Sequence, residues 1–139
     1  VALIKAMTTI QGQSTTNACT ISQAAARAAL NGDQKPVREM CAEFKERHDA
    51  ILPRLDAIPG FACRPARGAF YLFPNIAEAM RMKGIDDDVV FCERLLDSVG
   101  VAVVPGSAFG APAHLRISFA ASMETLEAAL ARIEKFMAA

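Results

Sequence analysis

From Val37 onward the apolar residues recur at spacings of three and four: Val37, Met40, Cys41, Phe44, His48, Ile51 and Leu55. That period is one face of a long helix, with Glu43, Lys45, Glu46, Arg47 and Asp49 mostly on the outer side. In AHLRISFA, Ala113 to Ala120, the period drops to two. Leu115, Ile117 and Phe119 share one face of a strand, and Arg116, Ser118 and Ala120 share the other. A short chain that switches between these two periods must pack helices against a small sheet.

The punctuation between the periodic runs gives the order. Pro36 suits a first helical turn, and Pro53 predicts a kink or a break near the end of the long helix, which Pro59-Gly60 closes. Two short strands are expected at Phe61–Cys63 and Ala69–Phe73, joined by a turn containing Pro65 and Gly68. Asp86, Asp87 and Asp88 open another helix, where acidic residues suit the dipole. Its buried stripe reads Val89, Cys92, Leu95, Leu96 and Val99, and Gly100 ends it. Val101–Val104 reads as a strand stopped by Pro105-Gly106, and the loop SAFGAPA leads into the arginine strand. Ser122 caps a last helix whose core face carries Leu126, Ala129, Leu130, Ile133 and Phe136. The fold class is therefore α+β, a small, mostly antiparallel sheet with helices packed on one face.

The first thirty or so residues stand outside that pattern. Val1–Ile10 reads as the end of a helix and Gln11–Ala18 as a polar loop. Thr20 or Ser22 is positioned to cap an alanine-rich helix that stops at Asn31-Gly32. Alanine on nearly every face suits a helix packed on several sides. Apolar residues make up 53% of the 139, high for a lone small domain, and the chain lacks an initiator methionine. Both features predict a chain cut from something larger or covered by a partner.

Fifteen basic residues balance fifteen acidic ones, and no basic run is interleaved with aromatics, so nucleic acid is not an expected partner. No apolar stretch reaches membrane-spanning length and nothing resembles a signal peptide, so a cytoplasmic protein without membrane contact is expected. Cys19, Cys41, Cys63 and Cys92 are widely spread, with no histidine set nearby, which argues against zinc and for reduced thiols.

Few residues suggest chemistry. His48 and His114 stand far apart in sequence, and His48 reads as a packing or boundary residue. The three aspartates are explained by a helix start, and GSAFGAP lacks a phosphate-loop pattern. In Gly68-Ala69-Phe70-Tyr71 the adjacent aromatics should face opposite ways, one into the core and one toward a pocket. Arg116 offers a planar fork of donors suited to a carboxylate, mounted on a strand that fixes its direction. Pattern alone leaves a solvated sheet face or a surface ion pair open to it.

Four motifs in order, QSTTNACTISQAAARAAL, PARGAFYLFPN, GVAVVPGSAFG and HLRISFA, resemble the C-terminal part of fold-type I aminotransferases that use pyridoxal phosphate. The likeness is nearest to the bacterial aspartate aminotransferase branch of class I. The resemblance implies that residues 1–32 end a large cofactor-binding domain and that residues 33–139 form the small domain, which closes over substrate. It implies that Arg116 grips the α-carboxylate of an amino acid or 2-oxo acid and that Phe70 walls the substrate pocket. It further implies a homodimer, whose second subunit and large domain would cover the alanine-rich helix.

Two departures and one absence stand beside it. Asn17-Ala18 replaces the usual Asn-Pro, and Pro112-Ala113-His114 replaces Pro-Gly-His. The lysine that carries the cofactor belongs to a Ser-Lys-x-Tyr/Phe motif that does not occur here. Lys5, Lys35, Lys45, Lys83 and Lys135 all lie in other contexts. The aspartate and phosphate-cup residues that serve the cofactor also fall upstream of the matching region. The isolated chain is therefore expected to be inactive, with no residue of its own bonded to pyridoxal phosphate. Aromatic amino acids, prephenate or alanine are alternative substrates, and a stand-alone carboxylate- or protein-binding module is the alternative outside enzymes.

Overall fold

Helix α1 (Ala2–Ser14) runs four residues beyond the apolar segment, through the stretch expected as loop. The hydroxyls of Thr8, Thr9 and Ser14 donate to the carbonyls of Ile4, Lys5 and Ile10, so these polar side chains satisfy themselves along the helix. The computed structural model describes all 139 residues, Val1–Ala139. Helix α2 (Thr20–Asn31) starts after Cys19, and neither Thr20 nor Ser22 caps it. The Gln23 side-chain amide instead reaches back to the Ala18 carbonyl at 2.7 Å. Gly32 ends it in an extended conformation, and the Asp33 carboxylate accepts the Lys35 N–H at 2.8 Å to start the next helix.

The chain divides into two compact units, Val1–Arg38 and Glu39–Ala139. The first has no buried residue in α1 or α2, and Leu3, Ile4, Met7, Ile10, Ile21 and Leu30 are all exposed.

Helix α3 (Lys35–Asp56), which belongs to the second unit from Glu39 on, is not broken at Pro53, where a kink or a break is expected. Only one amide is missing three residues from the end, and the Pro53 carbonyl still accepts the Ala57 N–H at 3.1 Å. Ile51 and Leu55 are buried, and Phe44 and His48 are half-buried.

Strands β1 (Tyr71–Leu72), β2 (Val104–Pro105) and β3 (Leu115–Ser118) form an antiparallel sheet in the order β1-β3-β2. All are shorter than the alternation predicts. Phe61–Cys63 contributes only an isolated bridge, Ala62 to Asn75, and Val101–Val103 stays outside the ladder. Tyr71 pairs with Ser118, Leu72 with Ile117, Val104 with Arg116 and Pro105 with Leu115. Leu72, Leu115 and Phe119 are buried, so one face meets the core while Tyr71 and Val104 remain exposed on the other.

Helix α4 (Ala77–Met82) was not legible as an element. It buries Ala79 and Met80 in a single turn and a half. Helix α5 (Asp88–Val99) is capped by the Asp87 carboxylate on the Val89 N–H, and Gly100 ends it in the left-handed region at φ 69°. Its buried stripe is rotated from the expected one: Phe91, Cys92 and Leu95 are inside, while Val89 and Leu96 are exposed. Helix α6 (Met123–Ala138) begins at the expected cap, with Ser122 Oγ accepting the Thr125 N–H, and buries Leu126, Leu130, Ile133 and Phe136. These side chains join Ile51, Leu55, Leu72 and Leu115 in one core. Each fully buried Leu, Ile or Phe contributes about 1.5–3 kcal/mol. The architecture is α+β, as the periodicities predict.

Candidate functional site

Arg116 rises from the open face of the sheet. Strand alternation places it there, opposite the buried Leu115, with Val104 as its cross-strand neighbour. Its side chain lies over two aromatic rings, with the guanidinium carbon 5.1 Å from the centroids of Tyr71 and Phe109. Such contacts hold a cation by its flat face and are worth about 0.5–1 kcal/mol each where partly exposed. No acidic residue of this chain forms an ion pair with it. Of the two alternatives that pattern left open beside an anion, the surface ion pair is absent. The planar edge of the fork, with its parallel N–H donors, is uncommitted.

Tyr71 comes from β1 and Phe109 from the 3-10 turn Gly106–Phe109 that follows β2. That turn is pinned from three sides. The Gly106 N–H donates to the His114 carbonyl at 2.7 Å, and a Cβ at Gly106 would collide with the Ala111 carbonyl and His114. The Ser107 N–H donates to Asp88 Oδ2 at 2.8 Å, and Asp88 is the one buried charged residue, 4% exposed. The aspartate run is thus a helix start at Asp87 and a tether at Asp88, a role that sequence reasoning missed.

Behind Phe109 stands a brace of rings. Phe73 meets Phe109 edge-on at 6.2 Å and stacks on His114 at 5.2 Å and 14°. His114 Nδ1 donates to the Pro112 carbonyl at 3.0 Å, and Nε2 faces the Asn75 amide at 3.4 Å. Ala113, between them, sits at φ 57°, a conformation that suits glycine.

Phe70 is 47% exposed and Tyr71 36%, so neither is the core residue that alternation assigned to one of them. The strand begins only at Tyr71, and Ala69 just before Phe70 takes φ 62°, which breaks the alternation. The Phe70 ring packs near Phe44 at 6.3 Å and edge-on to Tyr71 at 6.4 Å. Its carbonyl accepts the Phe119 N–H at 2.8 Å and the Ser118 hydroxyl at 3.4 Å. Arg116 and Phe70, the two site residues named from sequence, are therefore joined through Tyr71. Tyr71 and Phe109 went unassigned. An aromatic preceding the Gly110 stop in SAFG is the signal that marks Phe109.

The lysines lie in other settings. Lys45 pairs with Asp49, and Lys83 lies over the Phe136 ring at 5.1 Å. Histidine, cysteine and carboxylate side chains form no group able to hold a metal ion. Burial pushes the Cys63 and Cys92 thiols up to about 11, which leaves them poor nucleophiles.

Residues 2–133 match the family model for aminotransferase class I and II. The chain is 47% identical over 137 residues to an aspartate aminotransferase of Geobacillus stearothermophilus, covering 99% of this chain and 35% of that one. It is 41% identical over 142 residues to an aspartate/prephenate aminotransferase of Nitrosomonas europaea, covering 98% and 36%. The crystal structure of the aspartate aminotransferase of Rhizobium meliloti superposes with a TM-score of 0.85 at 42% identity, over 99% of this chain and 36% of that one. The chain thus spans little more than a third of the length of the relatives it matches. On this match, nearly end to end, the chain belongs to the class I and II aminotransferase family.

Proposed function

We propose that this chain is the C-terminal part of an aminotransferase that moves an amino group between an amino acid, aspartate foremost, and a 2-oxo acid. Arg116 is its α-carboxylate anchor. The observation that carries this reading is a half-buried arginine whose flat faces are occupied by Tyr71 and Phe109 and whose donor edge has no acidic partner in the chain. A carboxylate accepts two parallel hydrogen bonds from such an edge.

The division of labour follows from the residues present. Pyridoxal phosphate, when bound, supplies the electron sink for breaking the bond at the α-carbon. None of the five lysines lies in the motif that carries it, so that attachment belongs to sequence preceding Val1. Arg116 contributes orientation, fixing the α-carboxylate so that the bond to be broken stands at the productive angle. Phe70 forms a wall beside it. Residues 1–32 end the large domain and residues 33–139 make the small one. The exposed Leu3, Ile4, Met7 and Ile10 are surface for the large domain and for the second subunit of a homodimer. The setting is cytoplasmic, and no helix is long and apolar enough to cross a membrane.

Activity of the complete gene product toward a panel of amino acids tests the anchor. With Arg116→Ala, KM should rise and kcat fall for every amino acid alike, because all share the α-carboxylate. Loss confined to dicarboxylates would assign Arg116 to the distal group and overturn the role. Preference for prephenate or aromatic substrates over aspartate would keep the anchor and change the substrate class.

A further inference from the structure

The stretch Arg64–Ala69 leads into Phe70, and a histidine holds it in the middle. The Ala66 N–H donates to His48 Nε2 at 3.1 Å. A backbone amide can donate only to a ring nitrogen that carries no proton, so the His48 proton is on Nδ1. There Asp49 Oδ1 accepts it at 2.9 Å. The imidazole side chain is 12% exposed and stands edge-on to Phe119 at 5.9 Å. Phe119 meets Phe44 at 6.1 Å, Phe44 meets Phe70 at 6.3 Å, and the Phe119 N–H clamps the Phe70 carbonyl. His48 thus touches the backbone of the segment at Ala66 and the aromatic cluster that seats Phe70 beyond it.

We propose that His48 is a positioning residue whose neutral, Nδ1-protonated ring latches the Ala66 amide and thereby places Gly68-Ala69-Phe70, and that protonation of Nε2 releases the latch. A doubly protonated imidazole has no acceptor to offer. The charged and titratable groups that line the groove with it are Cys41, Lys45 and Asp49 on α3 and Arg67 on the loop, while the end of β3 contributes only Phe119. These residues line a groove of about 570 Å³, which released loop residues would reshape. The consequence for substrate rests on the reading of Phe70 given above, whereas the latch stands on this geometry alone.

Nitrogen NMR of the full chain reads the ring tautomer and its titration directly, and hydrogen exchange reads Ala66 in the same sample. The expected result is an Nδ1-protonated ring at high pH. The Ala66 protection factor should fall about tenfold with the same midpoint as the ring, while Leu130 in α6 is unmoved. His48→Phe, which keeps an aromatic ring against Phe119, should leave Ala66 weakly protected at every pH. His48→Gln should restore protection and remove its pH dependence. Equal protection of Ala66 on both sides of the ring titration, or in His48→Phe, would overturn the proposal. A latch that works in a gene product forming no cofactor adduct would keep this inference and discard the proposed function. A gene product that transaminates with Ala66 indifferent to His48 would do the reverse.

Discussion

The guanidinium carbon of Arg116 lies 5.1 Å from the centre of the Tyr71 ring, and the two residues sit on neighbouring strands of the same open face. The ring fixes the cation from its flat side, so in the proposed role recognition of a carboxylate is left to the edge. Arg116→Lys keeps the charge and loses the fork, and it should behave far more like Arg116→Ala than like the parent. Loss of the bidentate contact should lower kcat/KM of the complete enzyme about 100-fold in both variants. Near-parental rates in the lysine variant would show that a point charge suffices.

Tyr71 and Phe109 contribute less, because each removes one face contact and leaves the donor edge in place. Tyr71→Leu and Phe109→Leu should each reduce kcat/KM about two- to fivefold. The double variant should exceed the product of the singles if the two rings hold the guanidinium jointly. A double-variant cycle on kcat/KM measures that coupling.

Backbone conformation makes opposite predictions at two small residues. Ala69 is exposed at φ 62°, where an alanine is strained, so Ala69→Gly should stabilise the chain by about 0.5–1 kcal/mol. Gly106→Ala drives a methyl into the Ala111 carbonyl and His114, and should cost about 3 kcal/mol or more. Urea unfolding midpoints of the two variants test the pair.

Asp88→Ala removes the buried carboxylate that accepts the Ser107 N–H and frees the turn that carries Phe109. A loss of about 1.5–3 kcal/mol in stability is expected, the worth of a hydrogen bond to a charged group. Affinity for a carboxylate ligand in the complete enzyme should fall with it.

Thiol chemistry gives a pH dependence. Cys63 and Cys92 are pushed up to about 11 chiefly by burial, with Asp56 adding to the first and Asp88 to the second. The folded chain therefore holds its protons where the unfolded chain has already lost them. That stabilisation is fully present below an ordinary thiol value of 9.0 and is lost as pH rises toward about 11. Urea unfolding between these limits should show stability falling with pH, and Cys63→Ala with Cys92→Ala should flatten the slope. At neutral pH a thiol reagent should modify the exposed Cys19 and Cys41 first and Cys92 only on unfolding.

Legibility in the sequence tracked how local each cause is. Helices α5 and α6 were readable because their ends are written in single residues, Asp87, Gly100 and Ser122, that act on their own backbone. Helix α4 was not, since six residues hold too few periods to show a face. The exposed Val89 and Leu96 depart from the expected stripe because tertiary packing chose a neighbouring face of α5. Alternation placed Arg116 on the open face, but its role, like that of Phe70, is implied only by resemblance, and at Phe70 the left-handed Ala69 resets which way the chain faces. The contacts of Asp88 with Ser107 and of His48 with Ala66 link residues distant in sequence, and that of Arg116 with Phe109 spans an irregular loop. No spacing rule reaches them.

The most direct test is borohydride trapping of pyridoxal phosphate on the native gene product, read by intact mass and peptide mapping. The account predicts a product much longer than 139 residues, labelled on a lysine that precedes Val1. A product of this chain's own size with no trapped adduct would contradict it, and Arg116 would then have to serve a binding module with no transamination chemistry.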